Sequence, residues 1–206
     1  DIANADLILK NPGVPDNSPW LRIAKRHRVH VSSDIEAFFE LCPAPIIGIT
    51  GTKGKSTTAQ LLADFLRAGG PPRRARLPPK ARLALKSGAR KAGGKKNVWL
   101  AGNIRKSVLE ILPRIRKNDF VVLELSSFQL DSLASSKRSP HIAVITNIFP
   151  DHLNRYRSLR HYESSKAGIF RFQGRRDYLF INKNDALLKK LSRRAHSRRI
   201  LVDAKR

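Results

Sequence analysis

The chain has 206 residues, 41 of them Lys or Arg and 16 Asp or Glu, giving a formal net charge of +25, with one cysteine and no methionine. That length suffices for one sizeable core and part of a second, and the single thiol, Cys42, excludes an internal disulfide and fits a reducing compartment. No stretch approaches the roughly 20 apolar residues of a membrane span and no basic-then-apolar leader opens the sequence, so a cytoplasmic protein is expected.

A missing initiator and a first residue that reads as mid-fold predict a fragment of a longer chain. Residues 6–10 read as a short strand ending in a tight turn at Asn11, Pro12 and Gly13. A helix is expected over 20–27, a strand over 29–31 and a helix over 34–41, with Pro43-Ala44-Pro45 as a linker. Residues 1–44 are therefore read as the end of one α/β domain and 45–206 as part of another.

The next run carries the most chemistry. Ile46-Ile47-Gly48-Ile49-Thr50 is an apolar strand that turns through Gly51, Thr52, Lys53 and Gly54 into Lys55, Ser56 and Thr57. The helix that follows has Ala59, Leu62, Ala63 and Leu66 at i, i+3, i+4 and i+7. Glycines let successive backbone N–H groups turn toward one anion, Lys55 adds a mobile positive charge, and Ser56 offers an oxygen to a nucleotide-bound Mg²⁺. The commonest phosphate loop has glycine where this chain has Ile49. The strand before the loop and the helix after it supply the context that spacing alone lacks, and ATP or GTP is the expected ligand.

Residues 71–96 hold ten Lys or Arg and no acid, and the last 21 residues hold eight basic groups against Asp203 alone. The first segment is rich in Pro and Gly and is read as a flexible insertion. Contact with nucleic acid or an anionic surface is its functional reading. A solvated loop is favoured, because no aromatic interleaves the charges to stack a base.

Further apolar runs at 98–101, 120–125, 142–146, 178–181 and 200–202 alternate with helical patterns at 107–116 and 159–170. This predicts an α/β fold, a mainly parallel sheet with helices on both faces. Ligands of such sheets bind at the carboxyl ends of strands, where this chain places the 50–56 loop, Gly102-Asn103, Glu124 to Ser127, and 147–152.

Glu124, ending a strand, is a candidate Mg²⁺ ligand, the alternative being a structural salt bridge to an arginine. Asp151-His152 puts an acid beside an imidazole in the same crevice. Lys166 shares the apolar face of Tyr162, Ile169 and Phe170, where the ordinary reading is a lysine snorkelling to water.

Five ordered stretches together resemble the Mur ligase family. They are Ile-Thr-Gly-Thr-Lys-Gly-Lys-Ser-Thr-Thr (49–58), Ala-Gly-Asn-Ile (101–104), Glu-Leu-Ser-Ser-Phe-Gln-Leu (124–130), Asn-Ile-Phe-Pro-Asp-His-Leu-Asn-Arg-Tyr (147–156) and Tyr-Glu-Ser-Ser-Lys (162–166). The third stretch and the Asn-Pro-Gly turn at 11–13 most resemble the branch that adds D-glutamate to UDP-N-acetylmuramoyl-L-alanine. The resemblance implies an ATP-dependent amide ligase of peptidoglycan precursor synthesis, using ATP and Mg²⁺ and passing through an acyl phosphate. It further implies that Ser56, Glu124, His152 and Lys166 surround metal, Lys166 after carbamylation by CO₂. Asn103 and Ser126 would touch the nucleotide-sugar, and Asn11, Pro12 and Gly13 would border its uridine end.

Three departures from the family stand out. Lys53 replaces a usual Asn, Arg105 replaces a usual Gly, and the basic stretch 71–96 stands where the family has a short connection. The resemblance also implies that later parts of the family's central domain and its amine-binding domain lie outside this chain, which is then expected to be inactive alone. Two alternatives are another Mur or folate-polyglutamylating ligase, and a catalytically idle nucleotide- or nucleic-acid-binding remnant.

Overall fold

The computed structural model describes residues 1–11, 13–15, 17–69, 96–103, 107–151 and 155–203. Pro12, Arg105, His152 and all but Lys96 of the basic stretch lie outside the described residues.

Two strands, β1 (Leu7–Leu9) and β2 (His30–Ser32), pair in parallel as a small separate sheet. Between them runs α1 (Pro19–Arg26), started by a proline at its first position, where no N–H is needed. A capping box starts α2 (Asp34–Leu41): Ser33 Oγ accepts from Glu36 N–H while the Glu36 carboxylate accepts from Ser33 N–H.

The main sheet has six parallel strands in the order β4 (Val98–Gly102), β5 (Phe120–Glu124), β3 (Ile46–Thr50), β6 (Ile142–Ile145), β7 (Tyr178–Asn182) and β8 (Arg198–Val202). Every residue of β3 is buried, which is why it reads as an unbroken apolar run. On one face α3 (Lys55–Arg67) packs Ala59 and Ala63 against Ile47, Ile49 and Val122. The other face carries α4 (Ser127–Ser135), α5 (Leu159–Arg171) and α6 (Ala186–Leu191), whose Leu130, Leu133, Ile169 and Leu188 join Val121, Leu123, Ala143 and Ile181. Helices therefore cover both faces of a parallel sheet, as expected.

One expectation changes. The helix expected over 107–116 is instead a pair of short 3-10 turns, Val108–Glu110 and Leu112–Arg114. Pro113 lacks the N–H an α-helix would use and its ring would meet the carbonyl of Leu109, so the chain tightens into turns. Packing continues across the 43–45 segment. Ile35, Phe38 and Phe39 of α2 belong to the same large cluster as Leu130 and Leu133.

The edge strand β8 leaves Leu201 and Val202 about half exposed, with Arg198 and Arg199 also exposed. No described helix is long and apolar enough to cross a membrane.

Candidate functional site

The central position of β3 brings the loop after it between the loops that follow β5 and β6. Ile49 lies in register with Glu124 on one side and Val144 on the other. The crossing is pinned by Leu125 N–H donating to Ile49 O at 2.8 Å and Thr50 Oγ1 donating to Leu125 O at 2.8 Å.

Within the loop the two glycines differ in purpose. Gly51 has φ 154°, and a Cβ there would lie 1.9 Å from Thr146 Oγ1, so this glycine admits the loop after β6. Gly54 has φ 80° and a Cβ there would meet nothing within 4 Å, leaving open space at the start of α3. The first helical bond is Thr58 N–H to Gly54 O at 3.0 Å. The N–H groups of Gly54, Lys55, Ser56 and Thr57 are thus the unsatisfied first turn of a helix, a natural anion seat.

Thr52 and Lys53 differ from this pattern: their N–H groups are committed to Asn147, through its carbonyl at 3.0 Å and its Oδ1 at 2.9 Å respectively. Lys55 is half-buried and folds its Nζ back onto Thr52 O at 3.0 Å, while Lys53, Ser56 and Thr57 are exposed.

Glu124 is only 3% exposed, and its Oε1 accepts from Asn103 Nδ2 at 3.1 Å. Its partner is an amide and not one of the many arginines. Oε2 has no hydrogen-bond partner among the described residues. A buried carboxylate oxygen left in this state is costly unless a cation meets it. Gly102, at φ 104°, is needed beside it, because a Cβ would lie 2.1 Å from Glu124 O.

Lys166 does not snorkel. It is 2% exposed, donates from Nζ to Gly51 O at 2.9 Å, and holds that ammonium 4.7 Å from the centre of the Tyr162 ring. Burial first, and the charge of Lys55 second, pull it down to about 8, against the opposing influence of Asp151 and Asp131. The Tyr162 hydroxyl in turn reaches Thr52 Oγ1 at 3.3 Å. Loop, α5 lysine and α5 tyrosine therefore form one connected unit.

Ser126 is already engaged: its Oγ accepts from Gln129 N–H at 3.2 Å and donates to Gln129 Oε1 at 3.1 Å, a capping box that starts α4. Asn11 and Gly13 bond to each other, Gly13 N–H donating to Asn11 Oδ1 at 2.8 Å. Their neighbours Lys10 and Val14 line a groove of about 660 Å³ whose opposite wall includes Arg155, Tyr156 and His161. Among the described residues no three His, Cys, Asp or Glu side chains converge as a metal cluster. The sequence brings 147–152 to the same strand ends as the loop, but nothing local marks the bonds of Thr146 and Asn147 to Lys53, 93 and 94 residues away.

The Mur ligase middle domain matches residues 49–205. This chain belongs to the Mur ligase family. It is 36% identical over 200 residues to a UDP-N-acetylmuramoylalanine--D-glutamate ligase of Symbiobacterium thermophilum, covering 97% of this chain and 38% of that protein. A protein of the same name from Roseiflexus is 37% identical over 192 residues, covering 93% and 36%. The chain thus spans well under half the length of these relatives.

Solved Mur ligases share the fold at low identity. The UDP-N-acetylmuramate:L-alanyl-gamma-D-glutamyl-meso-diaminopimelate ligase of Neisseria meningitides superposes with a TM-score of 0.58 at 16% identity, over 95% of this chain and 57% of that one. The MurF ligase of Thermotoga maritima, solved in complex with ADP, gives 0.56 at 15%, over 98% and 51%.

Proposed function

We propose that this Mur ligase chain carries the ATP and Mg²⁺ half-site of a ligase that joins D-glutamate to UDP-N-acetylmuramoyl-L-alanine in the cytoplasm. The observation that carries the reading is the buried, unpartnered Oε2 of Glu124 at the end of the strand beside the Lys55 loop. The choice of substrate is supported by the name its sequence relatives bear.

In this reading the N–H groups of Gly54 to Thr57 and the Lys55 ammonium, swung away from Thr52 O, hold the β- and γ-phosphates. Ser56 and Glu124 would hold Mg²⁺, with His152 and a carbamylated Lys166 at a second metal. The ion supplies charge neutralisation between two anionic reactants. A substrate carboxylate oxygen attacks the γ-phosphorus and ADP departs; the amine of D-glutamate then attacks the acyl carbon and phosphate departs. Asn103, once turned from Glu124, and Ser126 would face the nucleotide-sugar. Residues 1–44 would supply the end of its uridine-binding domain, with Asn11, Pro12 and Gly13 at the uridine.

Calorimetric titration of the 206-residue chain tests the reading. Mg-ATP is expected to bind, and UDP-N-acetylmuramoyl-L-alanine to bind more tightly than the dipeptide-bearing nucleotide or a folate. Equal affinity for all three would remove the substrate assignment, and no response to Mg-ATP would remove the nucleotide site.

A further inference from the structure

Asn147 bonds the phosphate loop through both polar atoms of its side chain, and it comes from another strand's loop. Its Oδ1 accepts from Lys53 N–H at 2.9 Å and its Nδ2 donates to Lys53 O at 3.0 Å, so one carboxamide grips both backbone polar groups of residue 53. Its own carbonyl accepts from Thr52 N–H at 3.0 Å. The neighbouring Thr146 Oγ1 donates to the same Lys53 carbonyl at 2.7 Å. Two residues on, Phe149 N–H donates to Thr52 Oγ1 at 2.9 Å. The absent Cβ of Gly51 makes room for this docking.

We infer that Asn147 is a positioning residue for nucleotide binding: its carboxamide clamps the peptide of Lys53 so that the next four N–H groups and Lys55 present a preformed phosphate seat. The inference rests on the nucleotide reading above. With both backbone polar groups of Lys53 held by Asn147, the chain passes through the left-handed Gly54 into the first turn of α3, whose leading N–H groups precede the first helical bond at Thr58. Without the carboxamide, the 52–54 turn has to be ordered by the ligand itself, and affinity falls by the cost of that ordering. Only an amide serves, because the site needs an acceptor and a donor side by side. A carboxylate keeps the acceptor but turns a second oxygen toward the Lys53 carbonyl.

The test measures binding of Mg-ATP and of Mg-tripolyphosphate, which has phosphates and no base, to the unsubstituted chain, Asn147→Ala and Asn147→Asp, with thermal melting of each without ligand. Both ligands are expected to lose about tenfold in affinity with Asn147→Ala, and at least as much with Asn147→Asp. Affinity within about twofold of the unsubstituted chain overturns the clamp. So does a lowered melting temperature with unchanged affinity of the folded molecules, the result a merely structural Asn147 gives. If Asn147→Ala does not fold, the isosteric Asn147→Asp decides on the same criteria. An unsubstituted chain that binds neither ligand removes the nucleotide reading, and the clamp with it.

Discussion

The ammonium of Lys166 and the carbonyl of Gly51 are joined at 2.9 Å across 115 positions of sequence, tying the middle of α5 to the first turn of the phosphate loop. The bond holds a buried cation beside a second cation, Lys55, and this gives it a pH signature. The unfolded chain keeps its lysine proton to about 10.4, whereas the folded chain releases it near 8. Between those values the unfolded state binds more protons, so stability rises with pH, by about 1.4 kcal/mol per unit. Tyr156 acts oppositely above that window, because burial holds its phenol up to about 12 and the folded state then binds more protons. Urea unfolding from pH 7 to 10 is expected to show the rise in the unsubstituted chain and its loss in Lys166→Met. Parallel curves for the two would end this account.

Much of the sheet could be read directly from sequence, and the reasons lie in particular residues. β3 is buried along its whole length and therefore reads as Ile-Ile-Gly-Ile-Thr, and α3 shows its packing face through Ala59 and Ala63. The 107–116 segment misled because its apolar spacing is helical while Pro113 forbids the continuation. The environment of Lys166 was undecided, since an apolar stripe serves equally a lysine that buries its ammonium and one that only covers its stem. What finds a carbonyl for it is Gly51, far away in sequence. The sequence brings Asn147 to this sheet edge but does not show its partners, which are backbone atoms of Thr52 and Lys53 and leave no side-chain signal.

The unpartnered oxygen of Glu124 predicts that removing its charge helps the empty protein and harms the loaded one. Glu124→Gln is expected to raise the melting temperature without Mg²⁺ by about 2–4 °C, as relief of roughly 1 kcal/mol gives for a chain of this size. It is also expected to abolish the upward shift that Mg-ATP produces in the unsubstituted chain. Differential scanning calorimetry with and without Mg-ATP reads both. A retained shift would separate Glu124 from the cation.

The two loop glycines are predicted to respond differently to a methyl group. Gly51→Ala drives a Cβ to 1.9 Å from Thr146 Oγ1 and close to Asn147 backbone, and is expected to cost more than about 3 kcal/mol in denaturant unfolding. Gly54→Ala meets open space and bears only the left-handed backbone, about 1–2 kcal/mol. Equal costs would mean that the loop after β6 yields easily to a change at Gly51.

The outermost described strand bears on how these molecules meet one another. Among the described residues β8 has a strand neighbour on one side only and leaves two aliphatic side chains half-bare, yet it opens with Arg198 and Arg199. An approaching copy brings the same pair of guanidinium groups, so like-charge repulsion guards an edge that would otherwise template ribbon-to-ribbon stacking. Such a guard fails as counter-ions shorten its reach. Light scattering is expected to stay flat at about 0.05 M salt and to climb at about 0.5 M, and Arg198→Ser with Arg199→Ser to climb already at the lower value.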